Sequence, residues 1–343
     1  MTDNSVIEGA PGACPDCGTE TVAGDRFCEE CGADLHLVVA GMPADGDARP
    51  SPVCVACGGP EIDADGFCTR CGFSQPESRD RVELNLAGAA GVSDRGLRHH
   101  RNEDAMALRV TTDDSAHLVV VVCDGVSTSD RPDVASKAAA DTAADVLLAA
   151  ARAGDDTTTA TRSAVAAAVA AVTELNEHNG SGNAPACTFV SAVVSGGEVT
   201  IGWVGDSRAY WLADSGSECL TVDDSWAERM VESGQLSAAD AFADPRSHAL
   251  VAWIGADAGE VEPHVRTFRP DRPGALLVCS DGLWNYLWEA EKLAAAALPA
   301  ALDAPFRVAT ELTALALERG GHDNITVVLV PCGHPGSTRS TES

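Results

Sequence analysis

Four apolar runs that begin or end at an aspartate constrain this chain more than any other feature. "LVVVVCDG" stops at Asp124 and breaks into Gly125, "VTIGWVGDSR" ends at Asp206, and "ALLVCSDGLW" ends at Asp281; "HDNITVVLV" starts a strand directly after Asp323. The segment "SDRGLRHHRNEDA" adds Glu103 and Asp104 at the edge of a further predicted strand. Any one of these acids is accounted for by turn or cap chemistry. As a set they offer hard oxygen ligands from several strand ends, which is what a Mg²⁺ or Mn²⁺ centre needs, with water filling the remaining octahedral positions. Two such ions about 4 Å apart would clamp a phosphoryl group and lower the pKa of a bridging water.

Around these acids the pattern predicts strands at 83–93, 104–111, 117–123, 186–195, 198–205, 207–213, 262–268, 274–280 and 324–331. Ala-rich or amphipathic helices are predicted at 133–152, 160–178, 224–233, 289–300 and 305–319. Runs of strands interrupted by pairs of long helices point to α+β rather than regular βαβ repetition. The six tryptophans, at 203, 211, 226, 253, 284 and 288, read as core or rim residues.

The first 72 residues are of another kind. They hold two near-identical units, each C-x2-C-x10-C-x2-C followed by Gly: Cys14, Cys17, Cys28 and Cys31, then Cys54, Cys57, Cys68 and Cys71. Each unit offers four thiolates that suit one tetrahedral zinc, a structural site with no open position for substrate, with an iron–sulfur cluster as the minority alternative. Glycines after the second cysteine of each pair let backbone N–H groups turn towards the sulfurs. Units this small fold because they bind the ion. The segment "LVVAGMPADGDARPSPV" between them and "GFSQPESRDR" after them read as linkers. The other cysteines, Cys123, Cys187, Cys219, Cys279 and Cys332, read as packing residues.

A formal charge of −29 argues against nucleic acid or an anionic membrane as partner. Residues 1–82 alone carry 15 acidic against 5 basic side chains, so the cysteine units would repel phosphate backbones. No stretch approaches the roughly 20 apolar residues that span a bilayer, and the N-terminus lacks the features of a signal peptide. The expectation is a cytoplasmic protein, where thiols stay reduced.

The segments "SDRGLRHHRNEDA", "VVVVCDGVS", "WVGDSRAYWL", "LTVDDSW", "LLVCSDGLWNYL" and "HDNITVVLV" resemble, in order, the motifs of the metal-dependent PPM/PP2C protein phosphatases. The cysteine units resemble the double zinc ribbons found beside bacterial regulatory domains. The resemblance implies two antiparallel sheets packed as a sandwich, helices outside, and metals between the sheets at one end. It implies a disordered N-terminus over 1–13, a double zinc ribbon over 14–72 (units 14–32 and 54–72), and a linker over 73–82. A PP2C-like domain over 83–331 and a disordered tail over 332–343 complete the expected organisation.

The same resemblance implies the roles of individual residues. Asp124 bridges two Mn²⁺ or Mg²⁺ ions, with the Gly125 carbonyl on one of them. Asp281 and Asp323 hold the first ion, Asp104 serves the second, and Glu103 acts mostly through a bound water. Asp206 matches the ligand of a third, weaker metal, and Asn324 orients Asp323 by a hydrogen bond. A metal-bridging hydroxide attacks phosphorus in line, so no phosphoenzyme forms. Phosphoserine and phosphothreonine proteins are the implied substrates, a Ser/Thr kinase the implied opponent, and a protein-docking role for the ribbons and a monomeric state complete the reading.

Two positions depart from the family pattern. Its phosphate-binding Arg lies three residues after the Gly of "SDRGLRHHR", where this chain has His99; Arg98 and Arg101 flank it, and Arg98 is the choice here. After Asp-Gly most bacterial members continue Met-Gly-Gly-His, whereas this chain has "VSTSD", without the His thought to protonate the leaving alkoxide. His99, His100 or a metal-bound water are the substitutes. Asp224 stands in "LTVDDSW" where many relatives have His, and reads as structural; His322 has no catalytic role. The alternative function is a catalytically weak or inactive module that binds or regulates through its ribbons.

Overall fold

The computed structural model describes residues 19, 28, 37–41, 57–62, 68–71, 79–111, 117–176 and 183–333. The chain forms β1 (Leu37–Gly41), β2 (Arg81–Leu86), β3 (Ala89–Asp94), β4 (Ala105–Thr111), β5 (Leu118–Cys123), α1 (Pro132–Ala153) and α2 (Thr157–Asn176). Next come β6 (Ala186–Cys187), β7 (Phe189–Ser195), β8 (Glu198–Val204), β9 (Arg208–Leu212), β10 (Glu218–Cys219), α3 (Trp226–Glu232) and α4 (Ala238–Phe242). The last third contains β11 (Ile254–Gly255), β12 (His264–Phe268), β13 (Gly274–Cys279), α5 (Asp281–Trp284), α6 (Ala290–Ala301), α7 (Pro305–Glu318) and β14 (Ile325–Cys332).

Two six-stranded sheets, ordered β1-β4-β5-β7-β8-β12 and β10-β9-β13-β14-β3-β2, carry all but β6 and β11, which pair with each other. Every pairing is antiparallel. Helices α1 and α2 pack together against the first sheet, while α6 and α7 cover the second. The result is the helix-flanked two-sheet sandwich expected from the motifs.

This layering explains the unbroken apolar runs. Along β13, Leu276 and Val278 face the core between the sheets, while Ala275, Leu277 and Cys279 join the core beneath α6 and α7. A strand sandwiched on both faces has no solvent side, so the usual polar alternation vanishes. Each fully buried Val or Leu in such a run contributes roughly 1.5–3 kcal/mol. On the other sheet α1 lies close because its buried face is small, with Ala135, Ala139 and Ala143 at four-residue spacing. Arg109, buried on β4, reaches out to Asp145 (2.8 Å) and Asp141 (3.4 Å) on that helix and fixes its rotation.

Several expectations change. The strand foreseen at 83–93 is a hairpin, β2–β3, because Gly88 turns the chain at φ +98°. The strand foreseen at 186–195 is interrupted at Thr188, and its first two residues pair with β11. The linker foreseen between the cysteine units begins with a strand, since the Leu37–Gly41 backbone pairs with β4 along Thr111–Ala107. The linker foreseen over 73–82 has already joined the domain at Arg79, which is buried and donates to the Asp133 carbonyl oxygen at 3.0 Å. Of the expected disordered ends, 1–13 and 332–343, the tail's first residue, Cys332, instead closes β14, while 1–13 and 334–343 lie outside the described residues.

Candidate metal centre

The antiparallel pairing brings the marked strand ends to one end of the sandwich. Asp124 closes β5, where its N–H donates to the Thr188 hydroxyl (3.0 Å) and its carbonyl accepts from the Thr188 N–H (2.8 Å). Asp206 follows β8, with its carbonyl held by the Trp284 indole N–H at 2.9 Å. Asp281 opens α5 directly after β13, and Asp323 lies just before β14. Asp104 precedes β4 and is fully buried.

The glycines after Asp124 and Asp281 are there because the chain is crowded. A Cβ at Gly125 would lie 2.7 Å from both the Glu103 and Pro132 carbonyl oxygens. A Cβ at Gly282 would run into the Asn324 carbonyl oxygen. Each Asp-Gly pair is therefore a point where two acid-bearing segments touch backbone to backbone.

Two of the carboxylates are conspicuously short of partners. Asp104 Oδ2 accepts from the hydroxyls of Ser280 and Thr326, both at 2.7 Å, but its Oδ1 is buried with no hydrogen bond. Asp281 Oδ2 accepts from Asn285 Nδ2 at 3.1 Å, and its Oδ1 is likewise buried and unbonded. Asp281 and Asp124 lie within hydrogen-bonding reach of one another. Burial raises the Asp104 carboxyl to about 7 against the donated hydroxyl bonds, with the negative Asp323 and Asp281 adding to it. Burial, then Asp323, lifts Asp281 to about 7 as well. Asp124 and Asp206 are pushed well above the usual carboxylate range by burial first and neighbouring carboxylates second. Buried anions facing one another with unbonded oxygens are what a divalent cation would relieve, so the residues fit a hard-metal centre.

Loop 95–103 forms the rim. Glu103 Oε2 accepts from Ser127 Oγ at 2.5 Å and Oε1 from Arg101 Nε at 3.1 Å. His99 stands between acids, with Nε2 3.2 Å from Asp323 Oδ1 and Nδ1 3.8 Å from Glu103 Oε2. Arg101 is shared with Asp133 at 3.5 Å, whereas Arg98 is exposed and has no hydrogen bond or ion pair among the described residues. His100 is also exposed. Asn324 donates its backbone N–H to Asp323 Oδ1 (2.8 Å). The side chain ties the rim loop, accepting from the Glu103 N–H (2.7 Å) and donating to the carbonyls of Arg95 (2.8 Å) and Arg101 (3.1 Å).

In the loop "VSTSD", Ser129 occupies the place of the family His, and its hydroxyl is occupied by the backbone of Ala186. Asp224 accepts from the Gly205 N–H at 2.9 Å and pairs with His264 at 2.9 Å, bracing the turn that carries Asp206. Nearby, Arg208 forms a two-pronged pair with Asp223 (2.8 and 2.7 Å) and lies 3.8 Å from the Trp284 ring centre. His322 bonds Tyr286. Of the tryptophans, Trp203, Trp211 and Trp284 are buried, and Trp288 is exposed.

Of the cysteine units, Cys57, Cys68 and Cys71 have their sulfurs within 4.8 Å of one another. No three of the carboxylates close to that spacing among the described residues. Gly58, the glycine directly after Cys57, has a positive φ of +67°, and the next residue, Gly59, packs so close that a Cβ there would sit 3.1 Å from Cys68 Sγ and 3.3 Å from Cys57 Sγ. Cys28 is buried, and Cys14, Cys17, Cys31 and Cys54 lie outside the described residues. Of the remaining cysteines, Cys123, Cys187, Cys279 and Cys332 are buried and Cys219 is half-buried, as packing residues should be. No helix among the described residues is long and apolar enough to cross a membrane.

Comparison with known proteins agrees with this geometry. The profile described as "Protein phosphatase 2C" matches residues 95–311, and that described as "Double zinc ribbon" matches residues 14–72. A serine/threonine phosphatase stp of Listeria innocua is 30% identical over 245 residues, covering 69% of this chain and 93% of its own length. A bacterial serine phosphatase of known structure is 25% identical with a TM-score of 0.61, over 73% of this chain and 99% of that one. The catalytic domain of the serine/threonine protein phosphatase PstP, solved with two manganese ions, is 25% identical with a TM-score of 0.54, over 72% of this chain and 98% of that one.

Proposed function

The chain belongs to the protein phosphatase 2C family, and on that premise we propose that it hydrolyses phosphoserine and phosphothreonine in proteins, opposing a Ser/Thr kinase. The observation that carries the reading is the gathering at one end of the sandwich of buried and half-buried carboxylates, two of them with a buried, unbonded oxygen. Mn²⁺ or Mg²⁺ held there would polarise the phosphoryl oxygens and make water nucleophilic at neutral pH. Asp124 would bridge two ions with the Gly125 carbonyl on one; Asp281 and Asp323 would hold the first. Asp104 would hold the second and Glu103 would act through a water, with Asp206 on a third, weaker ion.

The cationic side chains divide the remaining work. Arg101 is engaged by Glu103 and Asp133, and His99 by Asp323, which supports Arg98 as the side chain free to meet a phosphate dianion. His99 lies closer to the carboxylates than His100 and is the better candidate for the proton of the leaving alkoxide, since the Ser129 hydroxyl is engaged elsewhere. We take the eight cysteines as two structural zinc sites and the ribbons as a protein-docking element on a cytoplasmic, monomeric enzyme; the gathered sulfurs of Cys57, Cys68 and Cys71 support the zinc. The alternative of an inactive binding module is not favoured, because all six carboxylates are present.

The test is an assay of the full, zinc-loaded chain on an aryl phosphate and a phosphothreonine peptide, with and without Mn²⁺. Metal-dependent turnover of both, lost in Asp124→Asn, is expected. Turnover of the aryl phosphate alone would mean that leaving-group protonation is impaired; turnover of neither would refute the reading.

A further inference from the structure

Glu103 stands out among the site acids because its carboxylate is held on both sides by the chain itself. Its Oε2 takes the Ser127 hydroxyl at 2.5 Å, a distance typical of a charge-assisted O–H···O⁻ bond. Its backbone is held by the same region, for the Glu103 carbonyl accepts from the Gly125 N–H (3.2 Å) and from Ser136 Oγ (2.6 Å). Ser127 is itself exposed, but the residues on either side of it are anchored. Val126 N–H donates to the Ala186 carbonyl at 2.9 Å, and Asn183 Nδ2 donates to the Thr128 carbonyl at 2.8 Å. The loop that lacks a His thus carries a hydroxyl aimed at an acid of the metal centre.

We propose that Ser127 is a positioning residue: its hydroxyl fixes the Glu103 carboxylate beside Asp104 and so sets the affinity of the divalent cation at that pair. This rests on the phosphatase reading above. A hydroxyl donated to one lone pair of a carboxylate oxygen selects a single rotamer and leaves the other lone pairs open to an ion or its water. Beside it the unbonded Asp104 Oδ1 supplies the second oxygen. Partners that orient metal ligands in this way commonly change metal affinity by roughly 10- to 100-fold when removed. Without Ser127, the Glu103 carboxylate retains Arg101, whose side chain is half exposed and shared with Asp133, and the more distant His99 Nδ1 at 3.8 Å.

The experiment is a Mn²⁺ titration of the zinc-loaded full chain followed by the electron paramagnetic resonance signal of free Mn²⁺, alongside steady-state kinetics. Wild type, Ser127→Ala, Ser127→Thr, Glu103→Gln and the Ser127→Ala/Glu103→Gln double variant are compared. Ser127→Ala is expected to weaken one Mn²⁺ site by about tenfold or more while the tighter site is unchanged. Ser127→Thr, which keeps the hydroxyl, should restore binding to within about twofold, and the double variant should bind no more weakly than Glu103→Gln alone. A Ser127→Ala isotherm that overlays wild type overturns the proposal, as does a raised KM with unaltered Mn²⁺ binding, which would make Ser127 a substrate contact. A wild-type chain that neither binds Mn²⁺ nor turns over substrate would remove the phosphatase reading itself.

Discussion

Replacing Asp104 by Asn should destroy turnover yet stabilise the metal-free protein, and the gain should grow with pH. The folded carboxyl holds its proton to about pH 7, while in the unfolded chain it titrates near the model value of 3.8. Between those values the folded state binds more protons, so this group's stabilising contribution is complete below about pH 4 and is lost as pH rises through 7. The difference corresponds to a loss of up to ~4 kcal/mol, at 1.36 kcal/mol per pH unit. An Asn escapes that loss. Its carbonyl can take the Ser280 and Thr326 hydroxyl bonds, and its NH₂ would occupy the place of the unbonded Oδ1 as a donor to the neighbouring carboxylates. Urea unfolding followed by tryptophan fluorescence, in Mn²⁺- and Mg²⁺-free buffer with stoichiometric zinc, should show Asp104→Asn gaining ~3 kcal/mol on wild type between pH 5 and pH 8. Saturating Mn²⁺ should then favour wild type, because only the intact site gains binding energy. Parallel stability curves for the two proteins across that pH range would refute the idea that burial, with the neighbouring carboxylates adding to it, costs the ionised Asp104 its stability.

Three further outcomes follow from the same contacts. Gly282→Ala should destabilise by roughly 1–3 kcal/mol or more in urea unfolding, because its methyl group meets the Asn324 carbonyl; Gly333→Ala, with open space around it and no positive φ, should not show that cost. Asn324→Ala removes three bonds to the rim loop and should cost about 2–4 kcal/mol; hydrogen exchange should rise over residues 95–103, and unchanged protection there would exclude the side chain as the loop's anchor. Cys68→Ser should lower zinc stoichiometry by one ion in native mass spectrometry while leaving Mn²⁺-dependent turnover of the aryl phosphate in place.

How much of this was legible in the sequence depends on the range of the interactions involved. The central strands and their terminal acids were readable because burial on both faces leaves an apolar run with no polar alternation, and Asp-Gly ends it visibly. Short pieces were not. Leu37–Gly41 sits beside a Pro- and Gly-rich stretch whose composition says linker, and it is a strand only because β4 offers an edge to pair with. The hairpin at 81–94 was hidden because Ala87-Gly88 lies between runs of similar texture. The work of Asn324 and Ser127 was beyond reach, since each acts on a residue far along the chain that spacing cannot reveal. The motif put Asn324 beside Asp323, but nothing in it pointed to the rim loop that the side chain holds.

The bonds that assemble the centre also dictate when it can exist. Glu103 is joined to Asn324 across 221 residues, and Asp104 to Thr326 across 222. Ordering those ends requires closing a loop that is most of the catalytic domain, and contacts of such long sequence separation are slow to form. A ribosome that has released Asp104 must still deliver β14 before Asp104 meets Thr326 or Glu103 meets Asn324. Until then the nascent chain is without a divalent-metal pocket, and its activity is withheld by topology alone.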